Sequence, residues 1–427
     1  MTKPAPKPLL PLDEALASLH AVVYAHVAGQ PAGHVLQSEQ VDSFDALGRV
    51  LAHKLVSGVN VPPADNSAMD GYAVRCADLP SEGVVLPQAQ RIAAGQVGAV
   101  VAPGSCARIF TGAPVPPGAD AVIMQEQTDV TPDGVRFAVV PKLGQNIRRC
   151  GEDIGSGQVV LRDGVRLTPA ALGVAASVGA DTLSVYRRPR VAVLTTGNEL
   201  VMPGKPLPPG AIYNSNRHTL RGLIQATGAD HADLGIVPDD LATTRARLRE
   251  AAEQHDVIVT SGGVSVGEED HLKAAVEAEG ELHFWPLAIK PGKPFVYGRI
   301  RRTDGSHAFY FGLPGNPVAS FVTFLLLVRP VLGLLSGEGW KLPVATPVRA
   351  DFEWPKADKR REFIRVRRNA EGGLSLYPNQ GSGVLTSAVW ADGLVDLAPG
   401  MTVKPGDAVP YVPLTEWLQP AASQRQD

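Results

Sequence analysis

Residues 190–335 alternate between two textures, and this alternation limits the fold more tightly than any other feature of the chain. Val191-Ala192-Val193-Leu194 is apolar at every position, as befits a strand covered on both faces. A helical pattern over 217–227 ends at Gly228, and strands are expected over 232–237 and 257–259 with a helix over 240–254 between them. A helix over 268–279, strands near 282–284, 295–297 and 309–312, and a helix over 318–335 complete the series. Strands alternating with helices predict an α/β unit built on a doubly wound parallel sheet. The apolar run 321–328 is short against the ~20 residues of a membrane span, and Arg329-Pro330 ends it, so it reads as a buried core helix.

Outside that segment the texture differs. One helix is expected from Leu12, with Leu16, Leu19, Val22 and Val23 on one face. A second is expected over 43–55, with Phe44, Leu47, Val50 and Leu51 turned inward. Residues 61–72 are rich in turn formers, and from 73 to 140 short alternating runs stand between Gly and Pro turns, which predicts a small β domain. Helical texture returns over 168–178, where Thr168-Pro169 supplies an N-cap and an N1 proline. Beyond Lys341 alternation returns, as in Phe363-Ile364-Arg365-Val366-Arg367, and predicts a C-terminal β-barrel or sandwich.

Composition narrows the function classes. The length of 427 residues exceeds one domain of about 100–150 residues, so several are expected. A net charge of −3 gives no electrostatic footprint for nucleic acid. Cys76, Cys106 and Cys150 lack the spacing of a zinc or redox motif and read as free thiols in a reducing cytosol. No apolar core follows Lys3 and Lys7, so neither a signal peptide nor a membrane segment is expected.

Ligands of open α/β sheets sit beyond the carboxyl ends of the strands. Three loops of unusual composition fall there: Thr195-Thr196-Gly197-Asn198-Glu199, Thr260-Ser261-Gly262-Gly263-Val264-Ser265-Val266-Gly267, and Leu313-Pro314-Gly315-Asn316-Pro317. Glycines and small hydroxyl residues let backbone N–H groups approach an anion closely. One such loop is usually only a turn; three at one sheet edge point to a phosphate-bearing ligand. Glu199, Asp239, Asp240, Glu268, Glu269 and Asp270 stand among them. Glu268 and Glu269 also suit the positive end of a helix. Carboxylates beside phosphates repel unless a cation lies between, and Mg²⁺ fits that need. Ile289-Lys290-Pro291-Gly292-Lys293-Pro294 presents two lysines on a rigid turn, an arrangement suited to an oxyanion.

These motifs carry a resemblance. Asp65-Asn66-Ser67-Ala68-Met69-Asp70-Gly71-Tyr72-Ala73, Thr111-Gly112-Ala113-Pro114-Val115-Pro116, Arg148-Arg149-Cys150-Gly151-Glu152-Asp153-Ile154 and the second and third loops appear in one order. The chain resembles the molybdopterin molybdenumtransferases, bacterial relatives of the C-terminal part of gephyrin, over roughly residues 10–415. The resemblance implies a multidomain α/β protein: a split helical and dimerisation domain (10–55 and 154–188), an inserted β domain (56–153), an α/β molybdopterin-binding domain (189–337) and a C-terminal β-barrel (338–418). It implies a cytoplasmic homodimer that inserts molybdate into adenylyl-molybdopterin with Mg²⁺ and releases AMP. Partners it implies are a molybdopterin adenylyltransferase and factors that mature molybdoenzymes. Thr196, Gly197, Ser261, Gly262, Gly263, Ser265 and Asn316 take the place of the pterin-phosphate cradle. Glu199, Asp239 and Asp270 take the acidic, metal-side positions, and Lys290, Lys293, Arg360 and Ser382 the molybdate side. Asp65, Thr111 and Asp153 are expected from the partner subunit. Pro286, Asn198 and Ala319 depart from the family pattern, where a basic residue, an aspartate and a serine are common. Two other readings are an ATP-dependent molybdopterin adenylyltransferase and a non-catalytic scaffold of the same fold.

Overall fold

The computed structural model describes residues 8–29, 36–238, 240–262 and 271–419. The α/β segment folds around six strands: β1 (Arg190–Thr196), β2 (Asp230–Val237), β3 (Val257–Ser261), β4 (Gly280–Pro286), β5 (Pro294–Arg301) and β6 (His307–Leu313). Their order is β2-β1-β3-β6-β5-β4. The first four run parallel, whereas β5 is antiparallel to both β6 and β4. The expected all-parallel sheet is therefore corrected to a mixed one. Residues 287–293 join β4 to β5 and residues 302–306 join β5 to β6. Both links are shorter than the dozen or so residues a parallel crossover needs.

Helices cover both faces, which is why β3 is buried at every position. They are α1 (Leu12–Gly29), α3 (Ser215–Ala226), α4 (Leu241–Gln254), α5 (His271–Glu279) and α6 (Pro317–Leu335), the last with a π-helical turn over Phe324–Val328, whereas α2 (Pro169–Ser177) packs in a separate core. Alternate strand residues face opposite cores. Ala192, Leu194 and Ile258 meet Leu248 and Ala251 of α4 and Leu272 and Val276 of α5. Val191, Val193 and Val259 meet Leu220 of α3, the apolar length of α6 and Leu12, Leu16, Leu19 and Val23 of α1. Helix α6 is longer than its apolar run. By length and composition it could cross a membrane, yet nearly all of it is buried inside the protein.

The helix expected over 43–55 does not form. Ser43–Asp45 makes one 3-10 turn, Gly48 takes a φ of +72°, and Val50 and Leu51 bridge to Arg166 and Val185. The left-handed glycine ends any helical period, so Phe44 points outward at 91% exposure while Leu51 stays buried. Leu51 shares a core with Leu167, Ala171 and Ala175 of α2, and Leu183 and Val185, so residues on both sides of the inserted β segment pack together. Between them, Gly71–Val74 is one of two inner strands of a four-stranded sheet, and a three-stranded sheet lies beside it.

At the C-terminal end β7 (Arg361–Arg368), β8 (Gly393–Leu397) and β9 (Ala408–Pro413) pair in sequence, and β9 pairs Thr346–Arg349. Leu374–Leu376 pairs β7, and a bridge from Leu374 to Ala350 brings the path back beside its other end. Val366, Val395, Val409 and Tyr411 fill the space enclosed. Ile289–Lys290, from the link between β4 and β5, pairs in parallel with Arg361 and Glu362 of β7. That pairing sets the C-terminal unit against the carboxyl edge of the α/β sheet.

Candidate functional site

A cleft of about 790 Å³ lies along that junction. The parallel strands β1, β3 and β6 end in register, with Thr195 opposite Ser261 and Ser261 opposite Leu313. The loops that follow therefore share one rim. Thr196, Glu199, Ser261, Gly262 and Asn316 line the cleft from the sheet side; Lys290 and Lys293 line it from the β4–β5 link; Arg360 and Ser382 line it from the C-terminal unit. These nine of the expected site residues thus come together. Gly197 stands beside them with a φ of +143°, and a β-carbon there would lie 2.6 Å from the Glu199 carboxylate. Gly263, Ser265, Asp239 and Asp270 lie outside the described residues.

Each group has a structural reason to be where it is. Asn316 precedes α6 as its N-cap without using its side chain for capping, so its exposed amide remains available to the cleft. The Val318 N–H at the start of α6 donates to the Ser382 carbonyl at 2.9 Å, which ties the C-terminal loop to the helix end. Lys290 Nζ contacts Glu362 Oε1 at 2.9 Å and Asp358 Oδ2 at 3.4 Å. Arg360 forks onto Asp358, with Nε at 3.0 Å and Nη2 at 2.9 Å. The Arg360 guanidinium, its backbone N–H and Lys290 together hold the Asp358 carboxyl well below the ordinary range, against a partial desolvation penalty. The same pair raises Arg360. Lys293 is exposed and has no carboxylate partner among the described residues. Among those residues no three His, Cys, Asp or Glu side chains are grouped to hold a metal. Glu199 is the cleft-lining carboxylate that remains uncommitted to a cation there.

Asp65, Thr111 and Asp153 do not line this cleft. They belong to the inserted β segment. Asp65 accepts from the Cys150 N–H at 2.8 Å and from Arg149 at 2.6 Å, and both contacts lower its carboxyl. The Thr111 hydroxyl and N–H both donate to Asp70, at 2.7 and 2.8 Å. Asp153 is exposed, and its N–H donates to the Val61 carbonyl. Of the departures, Pro286 sits in β4 opposite Pro294, Asn198 is exposed away from the lining, and Ala319 lines the cleft. Ser320 is 1% exposed and does not replace it.

Several residues at the cleft were not singled out from the sequence. Tyr213, Asn214 and Asn216 line it at the start of α3, and Gln380 and Gly381 line it beside Ser382. The string Ile212-Tyr213-Asn214-Ser215-Asn216 after a Pro-rich turn was the available signal, an N-cap followed by a second asparagine. Arg365, within the alternating run of β7, is 2% exposed and donates to Ser387 Oγ and the Gly381 carbonyl beside the cleft.

The fold and cleft define a class: a multi-unit α/β protein whose sheet edge presents hydroxyls, backbone groups and cations to one shared cleft. Three family models match successive parts of the chain: the MoeA N-terminal region (domain I and II) over 10–179, the probable molybdopterin binding domain over 192–333, and the MoeA C-terminal region (domain IV) over 347–414. A molybdopterin molybdenumtransferase of Haemophilus influenzae is 45% identical over 332 residues, 77% of this chain and 81% of that one. One from Nostoc is 35% identical over 377 residues, 86% of each. A solved molybdopterin biosynthesis MoeA protein from Pyrococcus horikoshii superposes with a TM-score of 0.79 at 28% identity, covering 95% of this chain and 100% of its own. The chain belongs to the molybdopterin molybdenumtransferases, a family of enzymes of molybdenum cofactor biosynthesis.

Proposed function

We propose that this enzyme inserts molybdate into adenylyl-molybdopterin and releases AMP, as a cytoplasmic, Mg²⁺-dependent homodimer. The observation that carries the reading is the single cleft in which Thr196, Ser261, Gly262 and Asn316 face Lys290, Lys293, Arg360 and Ser382. The first set suits the pterin phosphate, because hydroxyls and an open glycine backbone donate to phosphate oxygens. The second suits a tetrahedral oxyanion, because Lys293 brings a charge with no carboxylate partner among the described residues and Arg360 adds a guanidinium held in place by its fork onto Asp358. Holding both anions in one cleft converts their encounter into a step between positioned groups. The proposed C-terminal barrel serves as the wall that carries Arg360 and Ser382.

Glu199 fits a hard divalent cation: it is a carboxylate at the phosphate rim with no competing cation among the described residues. Asp239 and Asp270 are proposed to complete that set. When bound, Mg²⁺ supplies charge neutralisation at the bridging phosphates. Asp65, Thr111 and Asp153 are proposed to approach from the second subunit. An adenylyltransferase reading is not favoured, because the family models match on both sides of the α/β segment as well as within it.

The purified chain, given adenylyl-molybdopterin, molybdate and Mg²⁺, is expected to release one AMP per pterin and to yield a pterin that reconstitutes an apo-molybdoenzyme. Absence of AMP under these conditions, together with AMP transfer from ATP onto molybdopterin, would overturn the reading.

A further inference from the structure

Asn216 stands in the first turn of α3, 9% exposed, where the ends of three loops meet. Its Nδ2 donates to Ser261 Oγ at 2.6 Å and to the Gly315 carbonyl at 2.8 Å. Both amide protons are thus committed, one to the end of β3 and one to the loop before α6. The carbonyl partner fixes which way the amide faces. Reversing it would set the Asn216 and Gly315 carbonyl oxygens against each other at about the present spacing. Ser261 is therefore a hydrogen-bond acceptor toward Asn216. A hydroxyl that accepts from one side keeps its own proton for another partner. Among the described residues nothing accepts that proton, and Ser261 lines the cleft. Asn216 Oδ1 is buried without a partner among the same residues, so the amide is held by the two acceptors it serves.

We infer that Asn216, anchored on the Gly315 carbonyl, is a positioning residue that orients the Ser261 hydroxyl as a donor to an anionic ligand oxygen. The inference rests on the proposed pterin-phosphate site and adds the residue that sets its donor polarity. Asparagine suits the role because it offers two protons from one atom. Aspartate of the same shape would accept from Ser261, turn that proton away from the cleft, and repel the Gly315 carbonyl.

The test is a double-mutant cycle on the full chain, with adenylyl-molybdopterin binding measured by calorimetry in the absence of molybdate. Ser261→Ala and Asn216→Ala are each expected to weaken binding about tenfold, and the double variant no more than Ser261→Ala alone. Asn216→Asp keeps the volume, and its thermal midpoint reports folding; it is expected to bind more weakly than Asn216→Ala. Multiplying effects, or normal binding by Asn216→Ala beside weak binding by Ser261→Ala, overturn the inference and leave the proposed site standing. Normal binding by Ser261→Ala removes Ser261 from the ligand site and the inference with it.

Discussion

At the scale of single residues the two lysines of the β4–β5 link differ in what surrounds them. Lys290 is bound to Glu362 and Asp358 and lies 5.9 Å from the Trp354 ring centroid, so it belongs to a structural network as well as to the cleft. Lys293 lines the same cleft with no such partner among the described residues. Removing a partly buried cation leaves Glu362, 3% exposed, without that charge, whereas removing an exposed one exposes nothing new. Lys290→Ala is therefore expected to cost about 1–3 kcal/mol of stability as well as molybdate affinity. Lys293→Ala is expected to raise the molybdate concentration needed for half-maximal AMP release about tenfold with the urea midpoint unchanged. Equal destabilisation of the two variants would contradict the distinction. Their shared motif was legible in the sequence; their unequal roles were not, because Asp358 and Glu362 reach Lys290 only through the pairing of Ile289–Lys290 with β7.

At the scale of elements the sequence was most legible where burial is two-sided. The runs at β1 and β3 and the amphipathic α1 announce themselves by hydropathy alone, because each has a single way to bury its apolar face. Residues 43–55 did not, since Gly48 breaks the period and backbone bridges to distant residues replace local ones. Contacts between distant elements are also absent from any local pattern. Arg166, ahead of α2, donates to the Gly48 and Thr227 carbonyls and to Glu338 Oε2 at 2.6 Å, joining three segments just beyond the end of α6. Burial alone would raise the Glu338 carboxyl, but Arg166, with Lys341 and Arg329, more than offsets it and holds the carboxyl below its ordinary value. A depressed carboxyl contributes stability that is complete above its unfolded value of about 4.3 and is lost as pH falls through the folded value. Glu338→Gln is thus expected to lose about 3 kcal/mol at pH 7 and to show a shallower decline in urea stability below about pH 4 than the parent chain. An unchanged acid slope would show that this latch carries little of the acid sensitivity.

At the scale of the whole molecule the expected site residues fall into two groups that one chain keeps apart. Glu199, Lys290, Lys293 and Arg360 share the cleft, while Asp65 and Thr111 are engaged in the inserted β segment with Arg149, Cys150 and Asp70. If both groups serve one reaction, the second must be brought by another copy, and a two-fold dimer does this twice by symmetry. The arrangement has a consequence that a self-contained site lacks. Asp65→Ala and Glu199→Ala dimers would each carry two defective sites and are expected to be nearly inactive. Unfolding the two variants together and refolding the mixture forms mixed dimers in about half of the population. In a mixed dimer one cleft receives both defects and the other receives neither. AMP release from the mixture is therefore expected to recover to about a quarter of the parent rate, a value set by counting sites. A mixture no more active than its components, with dimers shown to have exchanged, would place Asp65 outside the reacting site and return the chemistry to a single chain.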